Sequence, residues 1–326
     1  MKQKIVFYGN FQLAVLGRAL TNQNAQFNES YEVLKASDYD LMSVWPKWPN
    51  FVASPFMYLP NKKNEGFTKK VIHSIEKIID DADIIVCQDF RKGIRERPVK
   101  ATTEYIHHKY NNKKQVICLP VFNFSGYLNQ FYQNGETIMP YVFIWLIEQG
   151  YNNSEILNWL KNEYNPKFAN LIEYAANKSI NKNRKKQKKE SAKFKNYIET
   201  FDILNDYKDH LIVTSTNHPT SYYYQKLHKR FIKMLNPDLS LELDIDKNVF
   251  PSASSRIPNL FEFRFFREVF PNLNIKNSSS KKRSNNFGYP VDINFVDQQV
   301  NLAKAIKNEN EDLFPDIKEY LNILRS

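Results

Sequence analysis

Three short runs, Ile5–Tyr8, Ile84–Cys87 and Val116–Leu119, are apolar at every position. A strand with one face in water alternates polar and apolar residues. A strand that is apolar throughout needs cover on both faces, which is the signature of a parallel sheet sandwiched between helices. The segments between the runs have helical spacing. Leu13, Leu16 and Leu20 share one face after the first run, and Val71, Ile75, Ile78 and Ile79 share one before the second. "TTEYIHHKY" reads as a helix before the third, and "YEVLKA" as a further strand. Strand and helix in alternation predict an α/β chain, a Rossmann- or flavodoxin-like parallel sheet flanked by helices, with the three runs as parallel neighbours. Ligands of such sheets bind at the carboxyl ends of the strands. Those ends carry "GNFQ", "QDFR" and "PVFNFSGY".

From Pro140 the pattern turns helical, so a large α-helical addition is expected. Residues 1–135 are assigned to the sheet domain with the candidate site, and 136–210 to the helical addition. Residues 211–326 are read as a returning strand, "HLIVTST", a helix with His218 at its start and Pro219 in its first turn, and a C-terminal region packing on the sheet domain. Residues 272–286, rich in Asn, Ser and Lys, read as a loop, and "FVDQQVNLAKAIK" as the final helix.

The chain carries a formal charge of +11, but Lys178 to Lys195 alone supplies +8 of it, leaving +3 for everything else. Basicity confined to one segment is not the footprint of a nucleic-acid-binding protein. The segment has no Gly or Pro and reads as an exposed helix. It is a solvated face or a surface for an anionic membrane or other polyanion. Cys87 and Cys118 lie within apolar runs and form no disulfide framework or zinc pattern, so they are expected as buried thiols and no metal is expected. No secretory signal is visible, and "MPYVFIWLI" from Met139 is about half the length that spans a bilayer. A cytoplasmic location, with membrane-peripheral attachment as an option, is the expectation.

Gly9-Asn10-Phe11-Gln12 stands between a strand and a helix N-terminus, where free N–H groups and the helix dipole favour an anion or oxyanion. Gly9 would permit a tight turn, and Asn10 brings an amide donor. An ordinary βα turn has the same spacing, and the phosphate-loop and dinucleotide fingerprints are absent. His218 follows a strand, and histidine suits a general base; a capping or exposed histidine is the plainer reading of the same position. His73, His107, His108, His210 and His228 are read as structural. Gln88, Arg91, Arg95 and Arg97 follow the second run, where Arg suits phosphate or an ion pair with Asp89 or Glu96.

In that order, "VFYGNFQ", "ADIIVCQDFR", "QVICLPVFNFSGY" and "TSTNHPTSYYYQKLHKRFI" resemble the WcbI-type polysaccharide biosynthesis enzymes, over scattered blocks from Lys4 to Leu235. The resemblance implies coenzyme A binding and acetyl transfer to a carbohydrate hydroxyl in bacterial capsule assembly. The family's first block reads Gly-Asn-Cys-Gln, with the Cys as candidate nucleophile; here the position is Phe11. A phenyl ring forms no thioester, so a covalent route through it is excluded. Catalytic candidates carried over are His218, Asn10 and Gln12. Gly9, Phe11, Gln88, Arg91, Arg95 and Tyr127 are candidates for holding coenzyme A or acetyl-coenzyme A, and Phe124 and Gly126 match more loosely. Two other readings stand beside acyl transfer. One is a catalytically silent relative binding a glycan or nucleotide, with Phe11 as a stacking ring. The other is a polyanion- or membrane-surface protein acting through the basic helix.

Overall fold

The structure, a computed structural model, describes residues 2–39, 52–53, 65–88, 102–126, 129–132, 135–163, 165–215, 218–238, 263–271, 291–308 and 315–326. In chain order the strands are β1 (Gln3–Gly9), β2 (Tyr31–Val33), β3 (Val52–Ala53), β4 (Ile84–Gln88), β5 (Gln115–Leu119), β6 (Asn129–Tyr132), β7 (Gly135–Ile138), β8 (Val213–Ser215) and β9 (His218–Pro219). The α-helices are α1 (Phe11–Gln23), α2 (Ala25–Ser30), α3 (Glu65–Asp81), α4 (Thr103–Tyr110), α5 (Pro140–Glu148), α6 (Asn153–Asn162), α7 (Pro166–Ser191), α8 (Ser221–Leu235), α9 (Arg264–Val269), α10 (Ile293–Asn308) and α11 (Pro315–Arg325).

The three apolar runs are parallel neighbours. The main sheet runs β2-β1-β4-β5, with β3 also pairing β1. Ile5 to Tyr8 lie opposite Ile84 to Cys87, and Ile84 to Gln88 opposite Gln115 to Leu119. Ile5 pairs with both Val33 and Ile84, and Tyr8 with both Val52 and Cys87, so β2 and β3 lie on one side of β1 and β4 on the other. The strand order therefore reverses at β1, and the carboxyl ends of β1 and β4 flank the switch point. Beyond β5, residues 196–198 add a short parallel bridge: Asn196 O accepts from Cys118 N at 2.8 Å and Cys118 O from Ile198 N at 2.9 Å. Cys87 and Cys118 face each other in register as free thiols, fully buried, with sulfurs 3.5 Å apart. At the opposite end of the sheet, Lys114 Nζ donates to the carbonyls of Ile79, Asp80 and Ala82 at 3.0, 2.5 and 2.6 Å, setting a cation on the last turn of α3.

Two compact units divide the chain. The first comprises Met1–Phe122, Lys185–Phe201 and Tyr223–Val249; the second comprises Asn123–Arg184, Asp202–Tyr222 and Phe250–Ser326. The first holds the sheet. The second is mainly helical, and aromatic rings fill its core: Trp145, Trp159 and Phe168 form a triangle with centroids 5.0–6.3 Å apart, and Tyr141 meets Tyr320 edge-on at 4.9 Å. On its surface Glu148 binds Arg325 and Lys307 at 2.7 and 3.0 Å, and these partners, Arg325 foremost, hold its carboxyl below the usual range.

Three elements differ from the expectation. The basic segment is helical only to Ser191, and its helix is not simply solvated. Ser179, Asn183, Gln187 and Glu190 are buried along one face of α7. Ser179 Oγ accepts from Ser125 N, and Asn183 Nδ2 donates to Asn123 O at 2.8 Å. Gln187 Oε1 accepts from Thr200 N and Phe201 N at 2.6 and 3.1 Å. The short polar residues interrupting the lysines are thus a polar spine that satisfies loop backbone. Gln187→Ala is expected to cost about 2–4 kcal/mol, because it strands the buried Thr200 N–H; a urea titration reads it.

The second difference lies around His218. His218–Pro219 pairs antiparallel with β8, and the helix starts only at Ser221. Thr220 keeps the extended course by donating its N–H to Ile212 O at 2.9 Å, and Pro219, with no N–H, tolerates such a short edge pairing. Third, α10 is not the last helix. Ile317, Tyr320, Leu321 and Leu324, buried at helical spacing behind Pro315, make α11. The loop expected at 272–286 lies outside the described residues.

Candidate functional site

Three strand ends meet at the carboxyl edge of the sheet in the first unit, and two glutamines tie them together. Gln88, the last residue of β4, accepts at Oε1 from Asn10 N at 2.7 Å and donates from Nε2 to Gln12 Oε1 at 2.9 Å. Gln12 Oε1 also accepts from Phe122 N at 3.0 Å, and Gln12 Nε2 donates to Phe122 O at 2.9 Å. Both amides are buried, Gln12 at 5% and Gln88 at 2% exposure. In such surroundings a satisfied polar network fixes geometry, and an unsatisfied one is costly. Thr103 Oγ1 donates to Gln88 O, and Tyr224 OH to Gln12 O at 3.3 Å. Burial raises the Tyr224 phenol well above its ordinary pKa, so it stays a donor.

Gly9 is required for space. A Cβ there would lie 2.6 Å from Gln88 Oε1 and 2.6 Å from Leu13 Cδ1, and Gly9 does not have the positive φ that would demand glycine. The tight-turn reason given by the sequence is replaced by close approach of β1 to Gln88.

Asn10 is the N-cap of α1, extended at φ −93° and ψ −173°, with Oδ1 accepting from Gln12 N at 2.8 Å. Asn10 O accepts from Leu13 N and Ala14 N at 3.0 and 3.3 Å. The first-turn donors of Gln12, Leu13 and Ala14 are therefore all taken up by Asn10. The cap also settles which way the Asn10 amide faces: its oxygen is committed to the helix. No described residue accepts from Nδ2. Asn10 is half-buried, so this donor is fixed in orientation and not sealed from a ligand.

Phe11 opens α1, but its side chain lies outside the described residues, as do Arg91, Arg95, Arg97 and Tyr127. His218 belongs to the second unit; its backbone is described in β9 and its ring is not. Also in that unit, Phe124 is fully buried and its ring occupies the space a Cβ on Gly126 would need. His228, read as structural, is 2% exposed, and burial, followed by the Lys229 charge, pushes its pKa down to about 4. The groups that sequence reasoning missed are Thr103, Tyr224 and the Phe122 backbone. Tyr224 lies on the apolar stripe of "SYYYQKLHKRFIKML", where nothing distinguishes a hydrogen-bonding tyrosine from a packing one. Among the described residues no group of three or more His, Cys, Asp or Glu could hold a metal ion, and no helix is long and apolar enough to cross a membrane.

No family model matches the chain, and no curated protein does. Among solved structures it is similar to WcbI, a polysaccharide biosynthesis enzyme, in its native form without a disulfide bond between coenzyme A and one of its cysteines. The TM-score is 0.66 at 11% identity, over 99% of each chain. At that identity the likeness is one of fold.

Proposed function

We propose that the chain is a polysaccharide biosynthesis enzyme that binds coenzyme A thioesters and transfers an acyl group, acetyl being the simplest, to a carbohydrate hydroxyl. The observation that carries the reading is the Asn10 amide, locked by its own helix cap so that its Nδ2 is left as a donor at the switch point of the sheet. The full-length fold likeness to WcbI supports it, as does the mention of coenzyme A with that protein.

Phe11 offers no nucleophilic atom, so transfer is direct. His218 takes the proton of the acceptor hydroxyl as the oxygen attacks the thioester carbonyl. The carbonyl oxygen becomes an oxyanion and accepts a hydrogen bond from Asn10 Nδ2, a kind of contact worth about 3–4 kcal/mol for a single donor. The intermediate collapses with loss of the coenzyme thiolate, which takes up the proton from His218. Gln12 and Gln88 contribute as positioning residues, since their amides are engaged with Phe122, Asn10 and each other. Arg91 and Arg95 are the candidates for the coenzyme phosphates. Gly9, Phe11 and Tyr127 are further candidates for holding the coenzyme.

Calorimetry with coenzyme A and acetyl-coenzyme A on the purified chain tests the reading without knowledge of the acceptor. Saturable binding of both, weakened at least tenfold by Arg91→Ala with Arg95→Ala, is the expected result. Absence of binding to either defeats it. One observation favours a second reading: with Phe11 in place of the cysteine that the resemblance calls for, a silent ligand-binding relative would bind the coenzyme and turn nothing over.

A further inference from the structure

The sequence confines its basic charge to one run, whereas the fold links that run through Glu199 to a second basic helix. On α7 the buried face leaves Lys182, Lys185 and Lys189 on the opposite side, at i, i+3 and i+7. On α8 the buried face leaves Lys226, Lys229 and Lys233 exposed at the same spacing. The helices are tied through Glu199, whose carboxylate binds Lys188 Nζ at 2.8 Å and whose carbonyl accepts from Arg230 Nη1 at 2.5 Å. The acids nearby are already engaged: Glu199 by Lys188, and Glu104 and the buried Glu190 by Lys193. Lys185, Lys189, Lys229 and Lys233 form no ion pair among the described residues.

We infer that these two lysine stripes form a docking surface for an anionic lipid bilayer. The chemistry of the patch selects that partner. Apart from Arg184, the exposed basic groups along 182–189 and on α8 are lysines, which act as point charges without the bidentate fork that reads individual phosphates. No exposed large apolar or aromatic side chain lies within residues 182–195 or on α8. Base or sugar stacking is thereby removed, and so is any wedge for insertion into lipid. Lysines spaced along exposed helix faces suit a plane of charge better than a strand. Such attachment is peripheral and reversible by salt. It is independent of acyl transfer, and coenzyme A calorimetry reports on that reading separately.

The test is co-sedimentation of the full chain with large vesicles of phosphatidylglycerol and phosphatidylcholine, against vesicles of phosphatidylcholine alone. Binding is expected only to the anionic vesicles and is expected to fall steeply as salt is raised. The variant Lys185→Gln/Lys189→Gln/Lys229→Gln/Lys233→Gln, with an unchanged circular dichroism spectrum, is expected to partition about a hundredfold or more less strongly. The α7 pair and the α8 pair are each expected to account for about tenfold. Equal binding to neutral vesicles, or full binding by the quadruple variant, overturns the inference. So does lysine-dependent binding to a soluble polyanion such as polyphosphate or RNA with none to vesicles.

Discussion

His218→Ala is expected to slow acetyl-coenzyme A turnover by about 10²–10⁴-fold while leaving coenzyme A affinity within about twofold. The loss belongs to the transition state, because the imidazole's task in the proposed reaction is to move the acceptor's proton. The backbone at 218 is held by pairing with Ser215, and Pro219 by pairing with Val213, and neither pairing uses the ring; an unchanged urea midpoint in the variant checks that the fold is kept. Thiol release from acetyl-coenzyme A in the presence of candidate sugars, with binding measured in parallel, is the assay. A variant that turns over like the parent ends the case for His218 as the base. Phe11→Cys is the companion variant. Direct transfer has no need of it, so turnover present only in Phe11→Cys would show that the native chain is a silent relative.

Gln12→Ala is expected to destabilise the chain by about 3–5 kcal/mol in a urea titration. One amide satisfies the N–H and the carbonyl of Phe122 and accepts from Gln88. Truncation strands several buried groups together, and each costs about 1–3 kcal/mol. Gln12→Glu retains the size and replaces the donor with an oxygen facing Phe122 O, so it is expected to destabilise as well. A positioning residue lowers stability and activity together, whereas a proton-transfer residue lowers activity alone. Wild-type stability in Gln12→Ala, with turnover lost, would move Gln12 from scaffold to chemistry.

The sheet was legible because burial on both faces leaves a mark at every position. Ile5–Tyr8, Ile84–Cys87 and Val116–Leu119 could hardly be anything else once helices were seen between them. The glutamine network was half legible. Gln12 and Gln88 stood at strand ends where ligand contacts are expected, yet a buried amide bonded to backbone and an exposed one awaiting ligand are the same letter. Only the Phe122 partner, 110 residues from Gln12, distinguishes them. The polar face of α7 was hidden by its lysines: Ser179, Asn183 and Gln187 follow a helical period, but a stripe of short polar residues within a charge run reads as solvated until its backbone partners are known. At His218 the helix start was placed too early because Pro219 fits the first turn of a helix and an edge pairing equally well.

The paired thiols of Cys87 and Cys118 give the experimenter something that usually has to be engineered. Both native sulfurs sit in the middle of the main sheet with no exposed surface, so an alkylating reagent reaches them only when strands β4 and β5 come apart. The rate at which the unmodified chain takes up a maleimide is then a clock for opening of the first unit. The folded protein behaves as if it were cysteine-free. Against that blank background Phe11→Cys adds one new sulfur, and whether it labels in the native state, and whether coenzyme A shields it, tests the accessibility of the β1–α1 turn.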